Sequence, residues 1–246
     1  MTYQRLICAA CLTMLMPMLA EAQAKLVFST FPDADTPNIV IAERVLREAY
    51  GRLGITLEAQ YLPGARGFYM ANQGETDGEL FLVAGLEQTY SNLHMLPVPV
   101  FSADIVAVTK DAHFEVHGWE SLRPYTIGIV RGFTLAEDHT VGMQVELVNE
   151  QEQLLQKVVL GRTDLAIDSR LTLLFAIKKL KLTGLTILEP PLDTIYAYHY
   201  LHKKHQNLLP QLEQVLRQME SEGAIRRVQA EVSQQLLEDI AGAQTK

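Results

Sequence analysis

The chain has 246 residues, of which 48% are hydrophobic and 20% charged, and a formal net charge of -8. That acidic balance repels phosphate backbones and excludes nucleic acid as the partner class. Both cysteines, Cys8 and Cys11, lie in the N-terminal leader, so the mature chain is expected to carry neither a disulfide nor a thiol nucleophile.

The leader is "MTYQRLICAACLTMLMPMLAEAQA", with Arg5, an apolar run from Leu6 to Ala20 and a close on Ala22-Gln23-Ala24. This pattern predicts a signal peptide over residues 1–24, cleaved after Ala24. Pro17 interrupts the run, which falls short of the roughly 20 residues needed to cross a bilayer. The expected product is an exported, periplasmic protein.

"KLVFST" reads as a strand, and "TPNIVIAERVLREAYGRLG" follows as a helix with Thr36 at the N-cap and Pro37 in the first helical position. "ITLEAQYL" alternates like a strand. A short helix from about Ala65 to Gln73 and the strand "ELFLVA" complete one α/β unit. The order then repeats with strands "YTIGIV" and "VELV". A helix over "NEQEQLLQKVVLG" is opened by an Asn149 and Glu152 capping box, and strand "LAID", helix "LTLLFAIKKLKL" and strand "LTIL" follow it. From about Asp193 come the alternating strand "TIYAYHYLHKK" and two amphipathic helices separated by Gly223.

One phrase occurs in both units: "GETDGEL" from Gly74 and "GRTDLAI" from Gly161. The shared Gly-x-Thr-Asp sits between a helix end and a strand, where Asp77 and Asp164 are expected as turn residues bonding the amides that follow them. Asp168 is different: it ends a buried strand, where the ligand groups of open α/β sheets gather.

The words "YLPGARGFYMANQGETDGEL", "PVFSADIVAVTKD", "GWESLRPYTIGIVRGFT", "LLQKVVLGRTDLAIDSR" and "LLPQLEQVLRQMESEGAIRRV", in that order, resemble the bacterial extracellular solute-binding proteins of family 3. The resemblance implies an α/β chain with the type II periplasmic binding fold, two α/β lobes joined by two hinge strands. After the signal peptide, lobe one would take residues 25–103 and 196–246. Lobe two, with the hinge strands at its ends, would take 104–195. It also implies a monomer that closes on a small ligand such as an amino acid and uses no cofactor or metal. An ABC-type permease, or alternatively a membrane sensor, would be its partner.

In amino-acid-binding members of that family an aspartate of lobe two takes the ammonium, and Asp168 matches it. The loop "VRGFT" matches the glycine-containing loop and nominates Arg131, Gly132 and Thr134 at a helix start, a natural anion site. The family's lobe-one arginine has no counterpart, since no arginine lies between Arg66 and Arg123. Either Arg66 supplies that charge, or the ligand is not an ordinary α-amino acid. Phe31, just after the first strand, is the aromatic placed to line a pocket, whereas Phe68, Phe133 and Trp119 read more simply as packing. Asp168 could instead cap the following helix, and His199, His202 and His205 read as a surface run rather than a metal set. An exported enzyme on the same fold would need an acid or base such as Glu79 or Asp168, and neither has a partner visible in the sequence.

Overall fold

A computed structural model describes residues 24–32 and 34–243, so the leader up to Gln23 lies outside the described residues. The elements in chain order begin with β1 (Lys25–Thr30), α1 (Pro37–Arg52), β2 (Thr56–Tyr61), α2 (Gly64–Gln73), β3 (Gly78–Leu82) and β4 (Leu93–Thr109). They continue with β5 (Thr126–Val130), α3 (Thr134–His139), β6 (Gln144–Val148), α4 (Gln151–Val159), β7 (Leu165–Ser169) and α5 (Arg170–Lys179). Last come β8 (Thr186–Ile187), β9 (Asp193–His202), α6 (Leu209–Ser221) and α7 (Ala224–Ala243). The strand order is β2-β1-β3-β9-β4-β7-β5-β6, with β8 beside β4.

The outer strands form two parallel triplets, β2-β1-β3 and β7-β5-β6, and the antiparallel pair β4 and β9 runs between them. These two strands carry the chain across: Ser102 faces Tyr196, Asp104 faces Thr194 and Ile105 faces Asp193 at the crossing. The first half of β4 was not foreseen, because Pro97 and Pro99 remove ladder donors. The sheet absorbs them with register shifts between Met95 and Pro99 and between Pro99 and Phe101.

Each lobe buries its own apolar set. Phe28, Ile41, Val45, Leu46 and Leu80 pack with Leu216, Val228 and Val232 of α6 and α7, so the two C-terminal helices complete the core of the first lobe. In the second lobe β7 is buried on both faces. Leu165 and Ile167 pack with Ile127 and Ile129 on one side, and Ala166 packs with Leu154 and Leu173 on the other. Gly128 lets α4 approach closely, since a Cβ there would stand 2.4 Å from Leu154 Cδ1.

The Gly-x-Thr-Asp repeat does one job twice. Asp77 Oδ2 accepts the Val27 amide at 2.7 Å while the Asp77 amide donates to Val27 O at 2.6 Å. Asp164 Oδ2 accepts the Thr126 amide at 2.8 Å, and its own amide donates to Thr126 O at 3.0 Å. The two aspartates therefore lace the turn to the first strand of their own lobe, not to the amides that follow them, which corrects the sequence expectation. The capping box of α4 does not form: its N-cap is Glu150, without a side-chain bond.

Candidate ligand site between the lobes

Asp168 lies on β7 one residue before the strand ends, opposite Val106 of β4. It is half-buried, and its single side-chain hydrogen bond among the described residues is from the Ser169 amide to Oδ1 at 2.5 Å. Desolvation raises its carboxyl to about 7, against the opposing pull of that amide. The capping role weighed for it belongs to Ser169, whose Oγ accepts the Thr172 amide at 3.3 Å as the N-cap of α5. With Ser169 holding α5, the Asp168 carboxylate has no cation among the described residues.

The same junction touches the first lobe. Asn38, in the first turn of α1, donates Nδ2–H to Ser169 Oγ at 3.3 Å. Lys178 of α5 donates to the carbonyl of Leu237 in α7, and Leu171 packs against the first lobe's core. A groove of about 370 Å³ runs beside this contact, between Pro32, Asp35 and Thr36 on one side and the α4 and α5 residues Gln151, Phe175 and Lys179 on the other.

Arg170, the next residue along, is a contributor the sequence reading missed. Its guanidinium pairs with both carboxylate oxygens of Glu189, at 2.6 and 3.0 Å, and reaches Asp104 Oδ2 at 3.4 Å. Asp104 Oδ1 also accepts the Thr194 hydroxyl at 3.0 Å, so Arg170 ties the start of α5 to both crossing strands. Its charge is thus committed at the hinge, away from Asp168.

The "VRGFT" loop is placed between β5 and α3, and Gly132 takes φ +91°, a conformation suited to glycine. The Gly132 amide donates to Glu137 Oε1 at 2.7 Å, so the chain's own carboxylate occupies the donor expected for a ligand anion. Arg131 and Thr134 are exposed, the Arg131 guanidinium has no hydrogen bond or ion pair among the described residues while its amide donates to Val148 O at 2.8 Å, and Phe133 packs toward the second lobe's core.

In the first lobe, Phe31 is half-buried at the exit of β1, edge-on to Phe68 at 5.9 Å and near Phe81 at 5.9 Å. Gly64 makes room for it at the start of α2. Arg66 follows two residues later, exposed, its amide donating to Pro63 O at 2.8 Å and its guanidinium without a hydrogen bond or ion pair among the described residues. Beside Phe31, the Thr30 hydroxyl is buried with no partner among the described residues. Among those residues no hydrogen bond or ion pair joins Arg66, Arg131 and Asp168 to one another.

The histidines are not a surface run. His199 is fully buried: its ring shares a 2.8 Å bond with the Tyr50 hydroxyl through Nε2 and a 2.9 Å bond with Leu80 O through Nδ1. The carbonyl can only accept, so Nδ1 carries the proton and Nε2 accepts from Tyr50. Burial holds its pKa down to about 4. His202 is buried against Gly74, and His205 bonds Asp77 Oδ1 at 2.6 Å. Trp119 stacks flat on His139 at 4.7 Å, in keeping with a packing role.

No protein-family model matches the chain. An uncharacterised protein of Shewanella oneidensis is 25% identical over 194 residues, which cover 76% of this chain and 73% of that one. A histidine kinase sensor domain with similarity to periplasmic binding proteins superposes with a TM-score of 0.70 at 14% identity, over 85% of this chain and 96% of its own. The GluR0 ligand-binding core in complex with L-glutamate gives 0.69 at 15% identity, over 88% and 99% of the two chains. With two α/β lobes joined by β4 and β9, the chain has the type II fold of the periplasmic binding proteins.

Proposed function

We propose that the chain is a periplasmic solute-binding protein that captures a small, positively charged polar molecule between its lobes and delivers it to a membrane transporter of the ABC type. In this reading residues 1–24 are a cleaved signal peptide. Residues 25–103 and 196–246 form lobe one, 104–195 form lobe two with the hinge strands at its ends, and the protein works as a monomer. The observation that carries the reading is the Asp168 carboxylate, half-buried at the end of β7 with an amide as its single partner among the described residues. A buried carboxylate without a cation either keeps its proton or takes a cation from outside, and a ligand ammonium or guanidinium supplies that charge. Phe31 would wall the pocket and Arg66, Arg131, Gly132 and Thr134 would meet the rest of the ligand, Gly132 after Glu137 swings away.

A second reading is a sensor or accessory protein that reports occupancy to a membrane partner. The Glu137 carboxylate on the Gly132 amide favours it, because a ligand carboxylate must displace it. So does the likeness to a histidine kinase sensor domain. Neither reading gives the protein chemistry of its own.

The test is thermal unfolding of refolded, ligand-stripped protein against amino acids, polyamines, organic acids and small peptides. A ligand at a hundredfold excess over its Kd adds about 2.7 kcal/mol, and the midpoint rises by several degrees. A rise that disappears in Asp168→Asn supports capture through this carboxylate. A rise that survives Asp168→Asn moves the site elsewhere, and no rise with any class contradicts the binding reading.

A further inference from the structure

Between β1, α2 and β3 lies a buried polar cluster that the binding reading does not use. Ser29 Oγ stands 2.6 Å from Glu79 Oε2, 3.2 Å from Gly67 O, 3.1 Å from Gly78 O and 3.4 Å from Thr76 Oγ1. Ser29, Thr76 and Glu79 are almost wholly buried. The hydrogens can be counted. Ser29 has one, and two of its neighbours are carbonyl oxygens that can only accept. If Glu79 were ionised, the Ser29 proton would go to the carboxylate and both carbonyls would face a lone pair. If Glu79 is a neutral acid it donates to Ser29 Oγ, and the Ser29 proton is released to Gly67 O or Gly78 O. The Thr76 hydroxyl donates toward Gly78 O at 3.3 Å in either case.

Among the described residues no cation pairs with Glu79. In the turn just before its strand, Asp77 is itself an acid and is paired with Lys204 and His205. From β9 come His199, neutral in its bonds to Tyr50 of α1 and Leu80 O, and Tyr200, whose hydroxyl donates to Val83 O at 2.8 Å. From α2 the nearest charged residue in sequence is Arg66, which is exposed. Burial accordingly raises Glu79 to about 8.

We propose that Glu79 is a positioning residue of the ligand site: as a neutral carboxylic acid it donates its proton to Ser29 and so fastens the start of α2 to the end of β1. Gly67 is the point of attachment, for a Cβ there would meet Ser29 Cβ at 3.4 Å and Glu79 Oε2 at 3.6 Å. The clamp fixes the segment bearing Arg66 and Phe68 against the segment bearing Phe31. Only this functional consequence rests on the proposed binding site.

The experiment needs no ligand, so its failure is separate from that of the binding reading. Hydrogen exchange of the α2 amides is followed in wild type, Glu79→Gln and Glu79→Ala from pH 6 to 9.5, corrected for intrinsic rates, with the α4 amides as an internal control. In wild type the α2 opening constant is expected to rise up to tenfold per pH unit from pH 6 to about pH 8, the interval in which only the opened Glu79 is ionised, and to level off above it. In Glu79→Gln, whose amide still donates to Ser29, α2 stays protected and its profile is flat. Glu79→Ala is expected to expose α2 at every pH. A wild-type profile as flat as that of Glu79→Gln overturns the proposal, and so does a Glu79→Gln variant whose pH dependence matches wild type.

Discussion

Replacing Asp77 with alanine separates a lacing residue from an ordinary turn residue. The substitution strips the Val27 amide of its acceptor and removes the anion that Lys204 and His205 share, at 2.8 and 2.6 Å. An orphaned, partly buried amide costs about 1–3 kcal/mol. The two cationic contacts add less than their short distances imply, because Lys204 is about one-third exposed and solvent screens it. The sum is about 2–4 kcal/mol. Asp164→Ala removes a single exposed amide bond and should cost about 1 kcal/mol. For a chain of this size each kcal/mol moves the midpoint by roughly 2–4 °C. Calorimetry at pH 7 should therefore show a drop of roughly 5–15 °C for Asp77→Ala and no more than about 4 °C for Asp164→Ala. The pH dependence carries a sign. Burial pushes Asp77 up, but Lys204, the Val27 amide and His205 outweigh it and hold the carboxyl below its ordinary 3.8. Its contribution is thus present above that value and lost as the pH falls through the lower native one. Equal losses at the two aspartates, or a gap between wild type and Asp77→Ala that grows in acid, would refute the reasoning.

Other consequences follow from particular contacts. Gly128→Ala puts a methyl group 2.4 Å from Leu154 Cδ1 and 3.0 Å from Thr163 Cγ2, so urea unfolding should show a loss of about 1–3 kcal/mol, partly recovered when Leu154 is cut to alanine in the same chain. An additive double mutant contradicts the contact. Tyr50→Phe leaves His199 Nε2 a buried acceptor without its donor and should cost about 1–3 kcal/mol by the same assay. Because His199 is held near 4, below the ordinary 6.5, the folded state binds fewer protons there than the unfolded chain. Its stabilising effect is complete above pH 6.5 and declines toward pH 4, by up to about 1.4 kcal/mol per pH unit. Nitrogen NMR that finds the ring doubly protonated at pH 6 would refute this.

What the sequence revealed and what it concealed divide along contact distance. Local signals located most of the elements: Pro37 opens α1, the alternation of β9 and the Gly223 stop are visible in the string, and the α/β order announces two lobes. The position of Asp168 near a strand end was legible because a strand end followed by a helix is a short-range pattern. The first half of β4 was hidden by Pro97 and Pro99, whose lost donors only the register shifts against β9 explain. Glu137 on the Gly132 amide, Arg170 across to Asp104 and Glu189, and Glu79 beneath Ser29 each depend on where a side chain turns in space. The three histidines misled for the same reason, since spacing alone cannot say that His199 faces Tyr50 in the core.

The most direct test of the central claim is calorimetric titration at pH 7 of a ligand found by thermal shift, in two buffers of different ionisation heat. Asp168 is held to about 7 by burial, so about half the molecules carry its proton at that pH. A cation docking on Asp168 drives that proton off. The account predicts release of about half a proton per ligand bound, abolished in Asp168→Asn. Identical heats in the two buffers for wild-type protein would contradict it.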